Sequence, residues 1–342
     1  MTTGADARVL GIESSCDETA AAVVRGGRAV LSSVVRSQVA EHAPWRGVVP
    51  EIAGRGHLEA IVPVVEEALS AARTSPRDLA AVAVTTQPGL VGSLLVGATT
   101  AKALAWAWSK PLVAVHHIEA HVYAALMSLP EWHFPYVTLV VSGGHTSLYR
   151  TESPLRHALL CSTRDDAAGE ALDKAAALLG LPYPGGPSIE KAGTGGDPGA
   201  HPFKLPLLAP DSLDFSFSGL KTALLYHLKG PGLSRPEAPL PAGQALADLC
   251  ASYEAAVVET LARKCLRACL QLDIPRLLVG GGVARNQRLR AAVARRAQRD
   301  NVQATFAAPE FCTDNAAMIA GLGHARWAAG KLADLAVDVA AR

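Results

Sequence analysis

The sequence predicts an α/β protein made of two similar halves. Segments typical of strands alternate with segments typical of helices, a pattern that favours a mostly parallel sheet covered by helices. Two hairpin-like segments of the same form begin about 130 residues apart, as a duplicated domain would place them, although two unrelated hairpins would look the same. A chain of 342 residues also exceeds what one hydrophobic core usually serves, so two domains are expected.

Each hairpin consists of two short apolar strands around a polar turn. The first is RVLGIESSCDETAAAVVR (residues 8–25), and the second is YVTLVVSGGHTSLYR (136–150). Between them, LAAVAVTT and PLVAVHH predict buried strands, whereas SLLVGATTAKALAWAWS and IEAHVYAALM predict helices.

Glycine, proline and serine interrupt the second half of the chain. Residues 182–218 are predicted to form a long loop and residues 229–243 a second flexible stretch. A long helix over 244–271, a strand RLLVGGG, a basic helix over 285–300 and a C-terminal helix from residue 315 complete the prediction.

Composition excludes several classes of protein. Apolar residues make up 49% and charged residues 18% of the chain, as in globular proteins. The net charge of +1 means that a nucleic acid would have to bind a local basic patch. Six cysteines without a C-x-x-C pair predict reduced thiols and a cytoplasmic protein. Neither a signal peptide nor an uninterrupted membrane span is recognised, so no membrane association is expected.

Two histidines four residues apart form the first candidate site. His117 and His121 share one face of a predicted helix, so both imidazoles can reach one metal ion, although such a pair is often only a solvated helix face. Zinc proteases use H-E-x-x-H, but Glu119 stands one place later and points about 200° away from His117. This spacing argues against a peptidase.

A carboxylate near the C-terminus is the candidate third ligand. Asp314 precedes a helix of small residues, where it could either bind a metal or simply cap the helix. Two histidines with one carboxylate would suit Fe(II), or Zn(II) with open positions.

Glycine-rich turns and clustered carboxylates are the other candidates. VSGGHT (141–146) and GGGVARN (280–286) follow strands and can present backbone N–H groups to phosphate or carboxylate, although hairpin turns often contain Gly-Gly. Glu13, Asp17 and Glu18 are placed together in the turn of the first hairpin, where they could bind a metal–phosphate, accept a proton or only stabilise the turn. For Asp173, on a predicted helix, a surface salt bridge is the alternative.

The order of these motifs resembles the TsaD family. The motifs that carry the resemblance are, in chain order, GIESSCDET, QPGLVGSLLVG, HHIEAH, VSGGHT, DDAAGEALDKAAALLGLPYPGGP, FSFSGLKTA, GGGVARN and CTDNAAMIA. They span the chain from Arg8 to about Ala329. Members of this family are tRNA adenosine threonylcarbamoyltransferases, earlier described as glycoprotein endopeptidases. This chain departs from them at Arg285, where relatives often have a small residue, and in its proline-rich stretch at 229–243.

The resemblance implies an actin-like ATPase fold with two duplicated subdomains around a central cleft. The first subdomain would comprise residues 1–115 and the C-terminal helix 315–342. The second would comprise 116–314, with a loop-rich insertion at 182–243.

The resemblance also implies the site residues and the chemistry. One divalent metal per chain, Fe(II) or alternatively Zn(II), would be held by His117, His121 and Asp314. Substrate contacts would come from eight residues: Val141, Ser142, Gly143, Gly144, His145, Asp173, Gly186 and Asn286. On chemical grounds and by position, Asp17 or Glu18 would accept the proton of the attacking amine.

The implied reaction is transfer of a threonylcarbamoyl group from threonylcarbamoyl-adenylate to adenosine 37 of tRNAs that read codons beginning with A. AMP is the other product, and proteins of the TsaB and TsaE type are the expected partners. Arg288, Arg295 and Arg299 could form an RNA-binding face or a plain solvated one. The alternatives are a metalloprotease, an actin-fold small-molecule kinase and a non-catalytic nucleotide-binding subunit.

Overall fold

The computed structural model describes residues 4–205, 209, 211–235, 237 and 239–341. The chain divides into two compact units. The first unit consists of Met1–Trp132, Ser153–Arg156 and Ala307–Arg342, and the second of His133–Glu152 and His157–Phe306.

Strands and helices alternate in both units. The chain begins with β1 (Arg8–Glu13), β2 (Glu18–Arg25), β3 (Ala29–Ser37), α1 (Val39–His42), α2 (Pro50–Ala71), β4 (Leu79–Gln87), α3 (Val91–Ala107), β5 (Leu112–His116) and α4 (His117–Met127). It continues with β6 (Tyr136–Val141), β7 (Thr146–Ser153), β8 (Arg156–Ser162), α5 (Ala168–Leu178), α6 (Gly185–Ala192), α7 (Ser218–Lys229), α8 (Gly243–Gln271), β9 (Arg276–Gly280), α9 (Gln287–Arg299) and β10 (Gln303–Phe306). The helices α10 (Pro309–Cys312) and α11 (Ala316–Ala328) follow and belong to the first unit.

The two sheets repeat one topology. Their strand orders are β3-β2-β1-β4-β5 and β8-β7-β6-β9-β10, so each strand of the second sheet corresponds to the strand five places earlier. In each sheet an antiparallel hairpin (β1 with β2, β6 with β7) is followed by parallel strands reached through helices. The predicted α/β class and the predicted duplication are thereby confirmed.

The core of the first unit anchors the end of β1. Leu10 and Ile12 of β1 pack with Val82 and Val84 of β4 in one buried cluster, to which α2 and α3 also contribute. Burying one such side chain stabilises a fold by about 1.5–3 kcal/mol. Glu13, the last residue of β1, therefore starts the 14–17 turn from a rigid position.

Helix α4 lies in the first compact unit, whereas the sequence prediction began the second subdomain at residue 116. The reason is packing, because ten of its eleven residues are buried and the helix packs against α11 and β5. The compact units therefore divide the chain after Trp132.

Two local predictions are wrong. The predicted loop at 182–218 contains α6, which begins after Pro184 with Gly185 packed against the backbone of α5, and the wider 182–243 stretch also contains α7. Residues 206–208, 210, 236 and 238 of that stretch lie outside the described residues. The C-terminal helix ends at Ala328 instead of continuing, since Gly330 adopts a left-handed φ of 70° and Ala333 bridges to Leu112 of β5.

All six cysteines are free thiols, and five of them are buried. Within the described part of the chain, no helix combines the length and apolar character that a membrane crossing requires.

Candidate active site

Helix α4 presents both histidines to one point. It starts directly after β5, and the His116 ring caps it by accepting a hydrogen bond from the N–H of Ile118 at 3.2 Å. The rings of His117 and His121 pack edge to face with centroids 4.7 Å apart. Both side chains are buried, so the pair is not a solvated helix face.

Asp314 completes a three-residue cluster. Its Oδ1 lies 3.1 Å from Nε2 of His121 and 3.5 Å from Nε2 of His117. One ligand atom from each of the three residues lies within 4.8 Å of the others. The alternative role for Asp314 is wrong, because the cap of α11 is Asn315, whose Oδ1 accepts from the N–H of Met318 at 3.0 Å.

Glu13 orients the first histidine. Its fully buried carboxylate lies 3.0 Å from Nδ1 of His117 and also accepts from the Thr85 hydroxyl at 2.6 Å and the Ser15 N–H at 2.5 Å. A carboxylate bonded to Nδ1 favours the tautomer with its proton there, which leaves Nε2 as a ligand atom facing Asp314. Carboxylate partners of this kind are typical of histidines that bind metals.

The electrostatics of the cluster favour opposite charges side by side. Burial alone lowers the pKa of His117, but the carboxylates of Asp314 and Glu13 outweigh it and hold that pKa well above its ordinary value. Burial alone raises the pKa of Asp314, but the two histidines hold it well below the ordinary value. The pKa of Glu13 is lowered in the same way, since His117 outweighs the cost of burial. A positive charge is therefore favoured here, whether it comes from a protonated histidine or from a bound metal ion.

The turn between β1 and β2 carries the two predicted catalytic carboxylates. Asp17 is buried and Glu18 half-buried. Burial, together with the negative charges of Asp314 and Asp17, raises the pKa of Glu18 to about 9. Glu18 therefore carries a proton at neutral pH, which makes it a hydrogen-bond donor and not a base.

Glu119 is directed away from the cluster, as its spacing predicts. Its carboxylate accepts from the Arg326 guanidinium at 2.6 Å, on the side of α4 that packs against α11. The Arg326 guanidinium also donates to the carbonyl of Ala114 at 3.1 Å. A glutamate bound in this ion pair is not available as the base of a peptidase.

In the second unit, the predicted glycine turn forms the tip of the hairpin between β6 and β7. It is closed by the Ser142 N–H, which donates to the carbonyl of His145 at 2.8 Å. The carbonyls of Ser142 and Gly143 accept from the first N–H groups of α5, at Gly169 and Glu170. A Cβ on Gly169 would meet the Ser142 carbonyl oxygen at 2.6 Å, so this close approach requires glycine.

Asp173 and Gly186 lie where α5 meets α6. Asp173 Oδ1 accepts from the N–H of Gly185, the first residue of α6, at 2.6 Å. Gly186 follows, and a Cβ there would meet nothing closer than 3.9 Å. The structure thus places both residues beside one helix start.

Asn286 begins α9 and is buried. Its Oδ1 caps the helix by accepting from the Leu289 N–H at 2.8 Å, and its amide donates to the buried Glu254 of α8 at 2.6 Å. One lone pair and one amide hydrogen remain for a ligand. Arg288 also binds Glu254, at 2.8 Å.

The predicted basic face of α9 is largely neutralised. Arg288 is paired with Glu254, and Arg299 is paired with Asp300 at 2.7 Å. Arg295 is exposed. The helix therefore offers less positive charge to RNA than its sequence suggests.

Sequence reasoning missed two residues of the first unit. Glu13 was grouped with the turn carboxylates, but it ends a buried strand and binds His117, 104 positions away. His57 of α2 was not singled out, although it is fully buried and bonded to the backbone of the 14–17 turn. The one available signal for Glu13 was a carboxylate continuing an apolar strand.

The comparisons with known proteins agree with the motif order. The TsaD family model, described as tRNA N6-adenosine threonylcarbamoyltransferase, matches residues 29–321. The chain belongs to the TsaD family. A relative from Anaeromyxobacter sp. (strain Fw109-5) bearing that same name is 53% identical over 98% of this chain and 99% of its own. A second relative with this name, from Anaeromyxobacter dehalogenans (strain 2CP-C), is 55% identical over 92% of this chain and 93% of its own.

Membership of the TsaD family confirms two predictions, the resemblance itself and the assignment to the transferase class of enzymes.

Solved structures confirm the fold. Component A of (R)-2-hydroxyglutaryl-CoA dehydratase from Acidaminococcus fermentans matches with a TM-score of 0.55 at 13% identity, over 94% of this chain and 99% of its own. Full-length HypF in the phosphate- and nucleotide-bound form matches with a TM-score of 0.61 at 12% identity, over 96% of this chain and 47% of its own. The predicted actin-like ATPase fold is therefore correct.

Proposed function

We propose that this protein transfers the threonylcarbamoyl group of threonylcarbamoyl-adenylate to the exocyclic amine of adenosine 37 in tRNAs that read codons beginning with A. The observation that carries the proposal is 53% identity, over 98% of the chain, to a protein named tRNA N6-adenosine threonylcarbamoyltransferase. In the reaction, the N6 nitrogen bonds to the carbamoyl carbon, and the bond from that carbon to the phosphate oxygen breaks. AMP leaves with the bonding electrons, and the amine gives up one proton.

His117, His121 and Asp314 would hold a divalent metal. They fit this role because Nε2 of both histidines points at one carboxylate oxygen, with Glu13 fixing the tautomer of His117. The two histidine side chains are 6% and 0% exposed and that of Asp314 is 20% exposed, so Asp314 is the most exposed of the three. This ligand set suits Fe(II), or Zn(II) as the alternative. When bound, such an ion supplies Lewis-acid polarisation and an anchor for an oxygen of the threonylcarbamoyl group.

Asp17 is proposed as the acceptor of the amine proton, and Glu18 as its protonated neighbour. The raised pKa of Glu18 supports this division, because a carboxyl that carries its proton at neutral pH cannot accept another.

Within the second unit, the substrate contacts that the family resemblance implies are proposed as follows. The turn from Val141 to His145 would offer N–H groups to developing negative charge. In support, the N–H groups of Gly143 and Gly144 have no acceptor among the described residues. Asp173, Gly186 and Asn286 would contact the adenylate, each lying at the start of a helix or bonded to one.

We also propose that the protein works with partner proteins on tRNA. Proteins of the TsaB and TsaE type are expected from the family resemblance, and action on tRNA implies a cytoplasmic location. The near-neutral net charge and the paired arginines of α9 support a need for help in holding tRNA. A glycoprotein peptidase is disfavoured, since Glu119 is bound by Arg326.

The test of the proposal is a product balance. Purified protein would be mixed with threonylcarbamoyl-adenylate, unmodified tRNA, the two partner proteins and ATP. Modified adenosine in the tRNA digest should rise in step with released AMP. Release of AMP with no modified adenosine would show hydrolysis in place of transfer and contradict the proposal.

Metal binding should release protons at neutral pH. The raised pKa of His117 means that the metal-free protein holds a proton there, which a metal must displace. This proton stabilises the metal-free fold below the unfolded pKa of about 6.5, and the contribution is lost as the pH rises through the raised folded pKa. Apparent metal affinity should therefore increase with pH. Calorimetry in two buffers of different ionisation enthalpy measures the proton count, and identical heats in both buffers would contradict a protonated His117.

A further inference from the structure

The backbone of the turn between β1 and β2 is held at three consecutive carbonyls. The carbonyl of Ser15 accepts from the Leu90 N–H at 2.8 Å, and that of Asp17 accepts from the Gln38 N–H at 3.0 Å. Between them, the carbonyl of Cys16 accepts from Nε2 of His57 at 2.9 Å. The Ser93 hydroxyl also donates to the Cys16 carbonyl, at 3.5 Å, so His57 makes the shorter of the two side-chain contacts that a substitution can remove.

The hydrogen bonds of His57 fix its state. A carbonyl only accepts, so Nε2 must carry a proton. Nδ1 lies 2.7 Å from the Thr19 hydroxyl on β2, which donates to it when the ring is neutral. Both residues are fully buried, and burial lowers the pKa of His57 although the carboxylates of Glu13 and Asp17 oppose this and His42 adds to it. The ring is thus a neutral link from α2 to the turn.

The position of the turn matters because of what it carries. Asp17 and Glu18 directly follow the carbonyl that His57 holds. At the other end, Ser15 donates to Glu13, which binds His117. A shift of the Cys16 peptide would therefore move the proposed proton acceptor relative to the metal cluster, and displacements near 1 Å can cost about 10²-fold in rate.

We propose that His57 is a positioning residue, which holds the Cys16 carbonyl and thereby sets Asp17 and Glu18 for proton transfer in the reaction proposed above. This inference rests on that proposed function for its effect on rate. Its effect on the turn itself can be measured separately.

Two matched variants separate positioning from packing. In His57→Gln the side-chain amide can replace Nε2 and still donate to Cys16. In His57→Asn the amide oxygen can replace Nδ1 as the acceptor for Thr19, but the Cys16 carbonyl keeps only the longer contact, 3.5 Å, with the Ser93 hydroxyl. Both changes remove the buried ring, but asparagine is one methylene shorter than glutamine, so the loss of buried volume needs a control of its own. Val64→Ala, in the buried face of the same helix, controls for loss of stability.

The measurements are the kcat and KM of threonylcarbamoyl transfer, the metal content, and amide hydrogen exchange of a peptide covering residues 13–19. For His57→Asn we expect kcat to fall by on the order of 10- to 100-fold, with KM for tRNA and metal content unchanged and faster exchange in the turn. His57→Gln and Val64→Ala should stay near wild type in kcat and in exchange of this peptide. If His57→Asn fails to fold, Thr19→Val, which removes only the partner of Nδ1, should give a smaller loss of the same kind.

Equal kcat and equal exchange in the Gln and Asn variants would overturn the positioning role. If wild-type protein transfers no threonylcarbamoyl group, the proposed function fails, but the exchange measurement still decides whether His57 holds the turn. Exchange that differs as expected without any change in kcat would show that His57 orders the turn but does not serve the reaction, which also overturns the proposal.

Discussion

His121→Ala should yield folded protein that has lost about one equivalent of metal per chain, since sites with three protein ligands rarely survive the loss of one. The position is well suited to this substitution. Its Nε2 faces Asp314 at 3.1 Å, and its Nδ1 has no hydrogen-bond partner in the described part of the chain. The substitution therefore removes a ligand atom, and Asp314 still has Nε2 of His117 at 3.5 Å as a partner.

His117→Ala should also lose the metal, and in addition its folded state should be less stable. It leaves the buried carboxylate of Glu13 without the imidazole, and breaking a buried pair in this way typically costs about 3–5 kcal/mol. Metal analysis of anaerobically purified proteins, with thermal unfolding beside it, measures both effects. Glu119→Gln is the control and should keep its metal, because Glu119 binds Arg326. Full metal retention in both histidine variants would refute the assigned ligands.

Asp17→Ala should abolish formation of modified adenosine while the metal stays bound. Asp17 is the proposed proton acceptor and lies outside the three-residue cluster. Loss of a general base typically costs about 10²- to 10⁴-fold in rate. The rate would be measured as modified adenosine per minute at saturating tRNA, with metal content determined on the same preparation.

The neighbouring carboxyl provides a matched comparison. Glu18 has a pKa raised to about 9, so Glu18→Gln should imitate its protonated form and retain most of the activity. Asp17→Asn should not retain activity, because an amide cannot accept the proton. Equal losses in Glu18→Gln and Asp17→Asn would show that the two carboxyls do not divide the roles as proposed.

The duplicated fold was predictable because its signals are local. Each hairpin is visible as two apolar runs around a polar turn, and each buried strand as a short apolar run. The end of the C-terminal helix was misjudged because a periodic apolar pattern does not reveal that Gly330 turns left-handed and lets Ala333 pair with β5. Helix α6, inside the predicted loop at 182–218, was missed because it is held by a contact with α5 that only the folded chain provides.

The candidate site was predictable only in part. Helical spacing pointed to His117 and His121, but the family resemblance, and not spacing, joined Asp314 to them. Glu13, Thr85 and His57 act through contacts between residues 41 to 104 positions apart, which no local pattern encodes. Whether Asp314 or Asn315 caps α11 was likewise decided by side-chain geometry, since both residue types favour that position.

The measurement that tests the central claim most directly follows one labelled carbon. Threonylcarbamoyl-adenylate carrying ¹³C in its carbamoyl carbon would be given to wild-type protein and to His121→Ala, with tRNA, partner proteins and ATP, and with a glycoprotein in a parallel tube. We predict that the label appears on N6 of adenosine 37 with wild-type protein, is lost with His121→Ala, and that the glycoprotein stays intact. Cleavage of the glycoprotein that depends on His121, with no label in the tRNA, would contradict the transferase account and support a metalloprotease.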